Sequence, residues 1–311
     1  MKKTIIPILA GFTLTLILIL AGCSKGEDLS LKFKEGDSRS YEVTVDQELT
    51  QSAEGQAFTL SQGFKLLYDF NVLSVSEEKA ELGFDFAFTD FHVKSNLSDV
   101  ELPENLPELL NSAFNFEKGS PLMKLTIDKK GRVEKVEGYS DFLAKVMEKA
   151  KEEKLSDRVL TLLSALTEEK NITDNFSVLF GYLTDKPIKK AMSWSVKEPF
   201  QEGLPLSADS KWKVLDVNED TIAISKVTSI SEDKEAAGKN QSDTGNTTGI
   251  ESTKYTISRT DGWPREIKSD LSMKSTVVLP AGAQSDSTQG AAGQAVEIAI
   301  KNTTSVKRVE K

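Results

Sequence analysis

The sequence predicts an α+β fold: a large curved antiparallel β-sheet, half-barrel-like, of about ten or eleven strands, with an inserted cluster of about three amphipathic helices. Three observations predict it. Apolar and polar residues alternate with period two over most of the chain; within 139–183 the period changes to that of a helix; and no short repeat indicates a solenoid or propeller.

Alternation begins at Tyr41, where Tyr41, Val43, Val45 and Leu49 share one side and Glu42, Thr44, Asp46, Glu48 and Thr50 the other, as in a half-buried strand. After a polar turn over 52–55 it returns in Phe64, Leu66, Tyr68, Phe70 and Val72, and again in Leu82, Phe84, Phe86 and Phe88. The parity slips at Phe91 and Val93, which predicts a bulge or a strand end. Residues 97–120, with Pro103, Pro107 and then Pro121, read as a connection holding at most a short helix over 108–114. Met123, Leu125 and Ile127 alternate next, Asp128-Lys129-Lys130-Gly131 turns, and 133–136 return.

Three helical stripes follow. Phe142, Leu143, Val146, Met147 and Ala150 form the first; Val159, Leu162, Leu163 and Leu166, behind a Ser156 cap, the second; Ile172, Phe176, Leu179, Phe180 and Leu183 the third. Each must bury one side. Strands resume over 193–196, 212–217, 221–227 and 253–257, the last ending at an Asp261-Gly262 turn. A long strand after Pro264 carries Ile267, Leu271, Met273, Val277 and Leu279, and the final one Val296, Ile298, Ile300 and Val306. The stretches 232–250 and 281–293 are rich in small and polar residues, which predicts flexible hairpin loops.

Residues 1–22 have the order of a secretory signal: Lys2 and Lys3, an uncharged apolar run over 5–21, then small residues. An uncleaved membrane helix is the alternative, since about 17 apolar residues is the lower limit for a span. Leu20-Ala21-Gly22-Cys23 resembles the lipobox of bacterial lipoproteins. That resemblance implies cleavage before Cys23, a diacylglyceryl group on its thiol and a lipidated tether over 23–30; the alternating pattern beyond it reads as one β-rich domain over 31–311. Two acyl chains, at about 0.8 kcal/mol per buried methylene, hold a protein stably where one does not. The membrane is thus an implied partner, reached through Cys23, and the cell envelope the implied location, inner or outer membrane undecided.

Cleavage would leave 289 residues with 37 basic against 48 acidic, a formal balance of −11, because Lys2 and Lys3 depart with the signal. Such a surface repels a polyanion, so nucleic acid is not expected as a partner. Cys23 is the only cysteine, which excludes an internal disulfide or a cysteine-based metal site. Stability must come from the core.

A flat sheet of about eleven strands at ~4.8 Å spacing would be on the order of 50 Å wide, and three helices of ~10 Å diameter would roof about 30 Å of it. The sheet is therefore expected to curl around the helices. In element order it resembles the half-barrel lipoprotein carriers of the LolA and LppX type, and Ile127-Asp128-Lys129-Lys130-Gly131-Arg132-Val133 leading to Gly138 resembles an uncharacterised lipoprotein family. Neither resemblance transfers a functional residue.

Chemistry is sparse. His92 is the only histidine, on a fading strand end with no marked nucleophile or ligand beside it. Nucleophile elbow, phosphate loop, dinucleotide glycines and zinc-helix pair are absent, and Glu219-Asp220 lacks the pattern of a calcium loop. No catalytic residue, metal or cofactor is expected, nor an enzyme. Aromatics stand out instead. Phe64, Tyr68, Phe70, Phe84, Phe86 and Phe88 on neighbouring strands, with Phe176 and Phe180 on the third helix, either pack as core or line a space for an apolar or lipid-like ligand. Trp194, Trp212 and Trp263 read as core or rim. The expected function is a membrane-anchored, non-enzymatic envelope lipoprotein that binds such a ligand. A structural or protein-interaction lipoprotein with a packed core is the alternative; its protein partner is undefined.

Overall fold

A computed structural model describes residues 26–53, 55–96, 108, 121–152, 176, 178–200, 206–233, 246–279 and 294–310. The expected signal peptide and Cys23, most of the 97–120 connection, the second helical stripe and the greater part of both polar loops lie outside the described residues.

The described residues form eleven strands: β1 (Ser38–Ala53), β2 (Gln56–Val75), β3 (Lys79–Ser95), β4 (Met123–Asp128), β5 (Val133–Glu137), β6 (Ser193–Pro199), β7 (Leu206–Val217), β8 (Thr221–Glu232), β9 (Thr247–Ser258), β10 (Pro264–Leu279) and β11 (Gln294–Val309). They make one antiparallel sheet in the order β5-β4-β3-β2-β1-β11-β10-β9-β8-β7-β6. The first and last strands meet at its centre. From there each half meanders outward, so the connection over 138–192 leaves one edge and enters the other. The edges themselves are short strands, β5 of 5 residues and β6 of 7, the latter closing with Lys197, Glu198 and Pro199, features that discourage further pairing.

The expected α+β class with a three-helix cluster is overturned: the described residues are nearly all antiparallel strand, in an open sheet. Among the described residues, α1 spans Tyr139–Glu152, with Asp141 in its first turn, where a negative charge opposes the helix dipole. Phe176 and residues 178–180 add a helical turn from the third stripe. Helical periodicity showed which residues could share a face, not how much of the sheet they must cover.

Ring contacts demonstrate the curl. Phe70 on β2 and Trp263 beside β10 have centroids 5.9 Å apart although β1 and β11 lie between their strands. The segment 176–182 touches β2 and β3 through Phe176, 5.8 Å from Phe70 and 5.0 Å from Phe84, and β9 through Tyr182, 5.4 Å from Tyr255. So short a segment reaches strands that far apart only if they bend round it. The predicted parity slip is a register shift, in which Lys65 opposes Asp90 and Leu66 opposes Phe88, leaving Thr89 extra; β3 continues through it.

One end of the curl is closed. The segment 26–33 crosses it as a strap: Glu27 bridges to Ile188, the Leu31 N–H donates to Lys129 O at 2.9 Å and the Lys32 N–H to Asp261 O at 2.8 Å. Leu29 and Leu31 are buried, so the expected tether over 23–30 is shorter than predicted, its last residues being built into the core. Gly262 sits under the strap with φ of 74°, and the Tyr182 hydroxyl donates to its carbonyl at 2.6 Å. Asp261 anchors this corner. Burial would raise its pKa, but hydrogen bonds from the Ser258 side chain and the Trp263 N–H, with Arg308 and Arg39 beside it, hold it below the usual carboxylate range.

The stretch 127–133 is the other half of the clamp. The Asp128 carboxylate accepts from the Lys130 and Arg132 N–H groups and from Arg132 Nε at 2.7 Å; burial opposes ionisation, but these bonds win and lower its pKa. Lys130 Nζ reaches Asp28, Leu29 O and Thr184 O, tying turn, strap and incoming connection together. A polar 232–250 loop also shrinks, since β8 runs to Glu232 and β9 begins at Thr247.

Candidate functional site

Beyond the closed base, the concave face can be read in rows of cross-strand partners spaced two residues apart along each strand, about 6.6 Å. The row nearest the base is apolar: Leu66, Val43, Val306, Ile267, Tyr255, Ile224 and Val214 are consecutive partners from β2 to β7. The next mixes character, Phe64 and Val45 giving way to Thr304, Ser269, Thr253 and Lys226, then to Trp212 and Trp194. The third is polar but for one member: Gln62, Gln47, Asn302, Leu271, Glu251, Thr228 and Ser210. The fourth is apolar again, with Leu60, Leu49, Ile300, Met273, Gly249, Ile230 and Ala208.

Two hollows lie on this face. The first, of about 440 Å³, sits between the sheet and residues 176–179, with Phe64, Tyr68, Phe84, Phe86 and Phe88 along one wall, and Gln47, Glu251, Ser269 and Asn302 among the polar groups of the other. Burial pushes the Tyr68 hydroxyl up to about 12, although the residue as a whole is only partly buried. The second, of about 850 Å³, is lined by Trp194, Trp212, Tyr255, Lys226, Gly181 and residues 183–186. It meets the first at Val178 and Glu251, which line both. Trp194 and Trp212 stack with an interplanar angle of 3°, and Lys226 Nζ lies 5.6 Å from the Trp212 ring while pairing with Glu251 at 3.0 Å.

Six of the eight aromatic residues singled out from sequence, Phe64, Tyr68, Phe84, Phe86, Phe88 and Phe176, line the first hollow. Phe70 and Phe180 do not; both pack at the base against Trp263, with centroids 5.9 and 5.4 Å away, because the curl brings that tryptophan over them. Of the three tryptophans read as core or rim, Trp263 and Trp212 are buried in the core. Cys23 lies outside the described residues. His92 is on the opposite face of β3, half exposed, with Nε2 3.8 Å from an Asp46 oxygen. Among the described residues no three potential ligands cluster as a metal site, and no helix is long and apolar enough to cross a membrane.

The polar wall was missed by sequence reasoning. Its signal was present as interruptions: Gln47 between Val45 and Leu49, and Asn302 and Thr304 between Ile300 and Val306, all at inward positions of otherwise apolar alternation.

A sequence model described as a family of unknown function (DUF6263) matches residues 86–264. No curated protein matches the chain. Among solved structures, one titled for lipid–protein interactions in lipovitellin is similar at 10% identity and a TM-score of 0.40, over 90% of this chain and 26% of that one. This chain thus spans about a quarter of that protein. An outer membrane channel from Pseudomonas putida F1 is similar at 7% identity and a TM-score of 0.21, over 90% of this chain and 97% of its own. OccK11 of Pseudomonas aeruginosa is similar at 8% and 0.19, over 89% and 99%. Scores this low carry neither ligand nor location across.

Proposed function

This chain belongs to the DUF6263 family, whose model covers more than half of it, and we propose from its own residues that it is a non-enzymatic, lipid-anchored envelope protein whose curved sheet holds an apolar or lipid-like ligand. The observation that carries the proposal is the aromatic hollow of about 440 Å³ between the sheet and residues 176–179. Its volume falls in the range of about 300–1,000 Å³ typical of small-molecule sites, and its lining is apolar with a few placed polar groups, as such sites are. A packed core would have closed this space: each unfilled methylene-sized gap costs a core about 1 kcal/mol.

The anchor supports the same reading. A diacylglyceryl group on Cys23 would hold the domain at a membrane surface, a few residues from the strap over 26–33, where an apolar ligand can be taken up without crossing bulk water. Two measurements test the proposal. Protein expressed from Ser24 and purified without detergent is extracted with organic solvent and analysed by mass spectrometry; an apolar molecule at near-equimolar yield is expected. No recovered ligand, together with an experimental structure whose concave face is filled by its own side chains, refutes the binding role. Incorporation of labelled palmitate into the full chain, abolished by Cys23→Ala, tests the anchor; equal labelling of both refutes it.

A further inference from the structure

Several polar groups of the two inner rows pair with one another. Gln62 Nε2 donates to Gln47 Oε1 at 2.5 Å, Ser210 and Thr228 share a hydrogen bond at 2.9 Å, and Thr253 and Ser269 share another at 2.8 Å. Glu251 accepts from Ser269 at 3.0 Å and pairs with Lys226 at 3.0 Å. Asn302 stands apart. Its Oδ1 is buried with no hydrogen-bond partner among the described residues, and it borders the hollow. A buried amide oxygen left bare costs about 1–3 kcal/mol, and because the residue lines the hollow and is only partly buried, a half-turn of its carboxamide exchanges oxygen and nitrogen and presents the oxygen to an occupant.

The charges narrow the choice. Lys226 and Glu251 are the only ionisable members of these two rows, and they neutralise each other. Glu251 borders the first hollow and holds Lys226 in an ion pair, so a carboxylate entering beside Asn302 finds no unpaired cation in these rows. Apolar rows lie on both sides of the belt, giving hydrocarbon a place on either side of a polar group. Taking the hollow as a ligand site, as above, we propose that its occupant is a neutral amphiphile whose hydroxyl or amide group hydrogen-bonds Asn302 while its hydrocarbon lies along the aromatic strands, and that Glu251, by occupying Lys226, denies fatty carboxylates a counter-charge. A hydroxyl fits best of all, because it both donates and accepts and so suits either edge of a carboxamide.

The test uses the full chain in phosphatidylcholine nanodiscs with three photoreactive probes of equal length, a diazirine-bearing hexadecanol, hexadecanoate and hexadecane. After irradiation, cross-links to β1, β2, β10 and β11 are quantified by peptide mass spectrometry. The alcohol is expected to label these strands about fivefold more than the hydrocarbon, the worth of one neutral hydrogen bond, and more than the carboxylate. Asn302→Leu is expected to erase the preference of alcohol over hydrocarbon. Glu251→Gln leaves Lys226 unopposed and is expected to raise carboxylate labelling, a gain that misfolding does not produce. Equal labelling by all three probes, or a carboxylate preferred in the unaltered chain, overturns this proposal while leaving the hollow a ligand site. Absence of labelling by any probe overturns both.

Discussion

Replacing Gly262 by alanine tests whether the strap closes the base of the sheet. At φ of 74° an alanine pays about 1–2 kcal/mol for the left-handed backbone alone. An added Cβ would also fall 2.0 Å from Ser30 O and 2.8 Å from Ser30 C, both backbone atoms that cannot rotate away. The strap must lift, which loosens Leu29 and Leu31 and strains the hydrogen bonds to Lys129 and Asp261. Full exposure of the two leucines would cost about 1.5–3 kcal/mol each, and the two hydrogen bonds about 0.5–1.5 kcal/mol each. Loss of half of this, with the backbone strain added, gives about 3–6 kcal/mol. Gly36→Ala is the matched control: its φ is 83°, but nothing lies within 4 Å of an added Cβ, so only the strain of about 1–2 kcal/mol applies. Urea unfolding followed by tryptophan fluorescence measures both. If Gly262→Ala destabilises no more than Gly36→Ala, the strap does not bear on the base as argued.

Lys130→Ala removes a cation with three oxygen acceptors and is expected to cost about 1–3 kcal/mol in the same assay, with faster proteolysis near residues 26–33. Val45→Phe places a ring into the 440 Å³ hollow away from the base; stability should change little, while the yield of extracted ligand falls. Asp128 and Asp261 have pKa values below those of the unfolded chain, so each contributes stability that is complete above about pH 4 and is lost as pH falls through the lower folded values; acid titration of the melting temperature should show this decline, and Asp261→Asn should flatten it. Phe84→Ala, which removes a buried ring from contact with Phe70 and Phe176, is expected to cost about 3–5 kcal/mol and to enlarge the hollow.

Local pattern determined much of this protein. Period-two alternation placed the strands, since side chains of a pleated strand point alternately to opposite faces. It also located the bulge near Phe91 and gathered Phe64, Tyr68, Phe84, Phe86 and Phe88 on one wall. The same logic underlies the clamp over 127–133, where Asp128 and Gly131 are turn residues for local reasons. What only the tertiary structure decided was the partnership of β1 with β11, the removal of Phe70 and Phe180 into the base, and the assembly of Gln47, Glu251 and Asn302 into a shared belt. These residues lie far apart along the chain and meet only because of strand order and register, which depend on long-range pairing. The first stripe is the helix α1, but the expected three-helix cluster was misleading for a related reason. Amphipathicity says that a face must be buried, whereas what buries it depends on the long-range packing of the sheet as a whole.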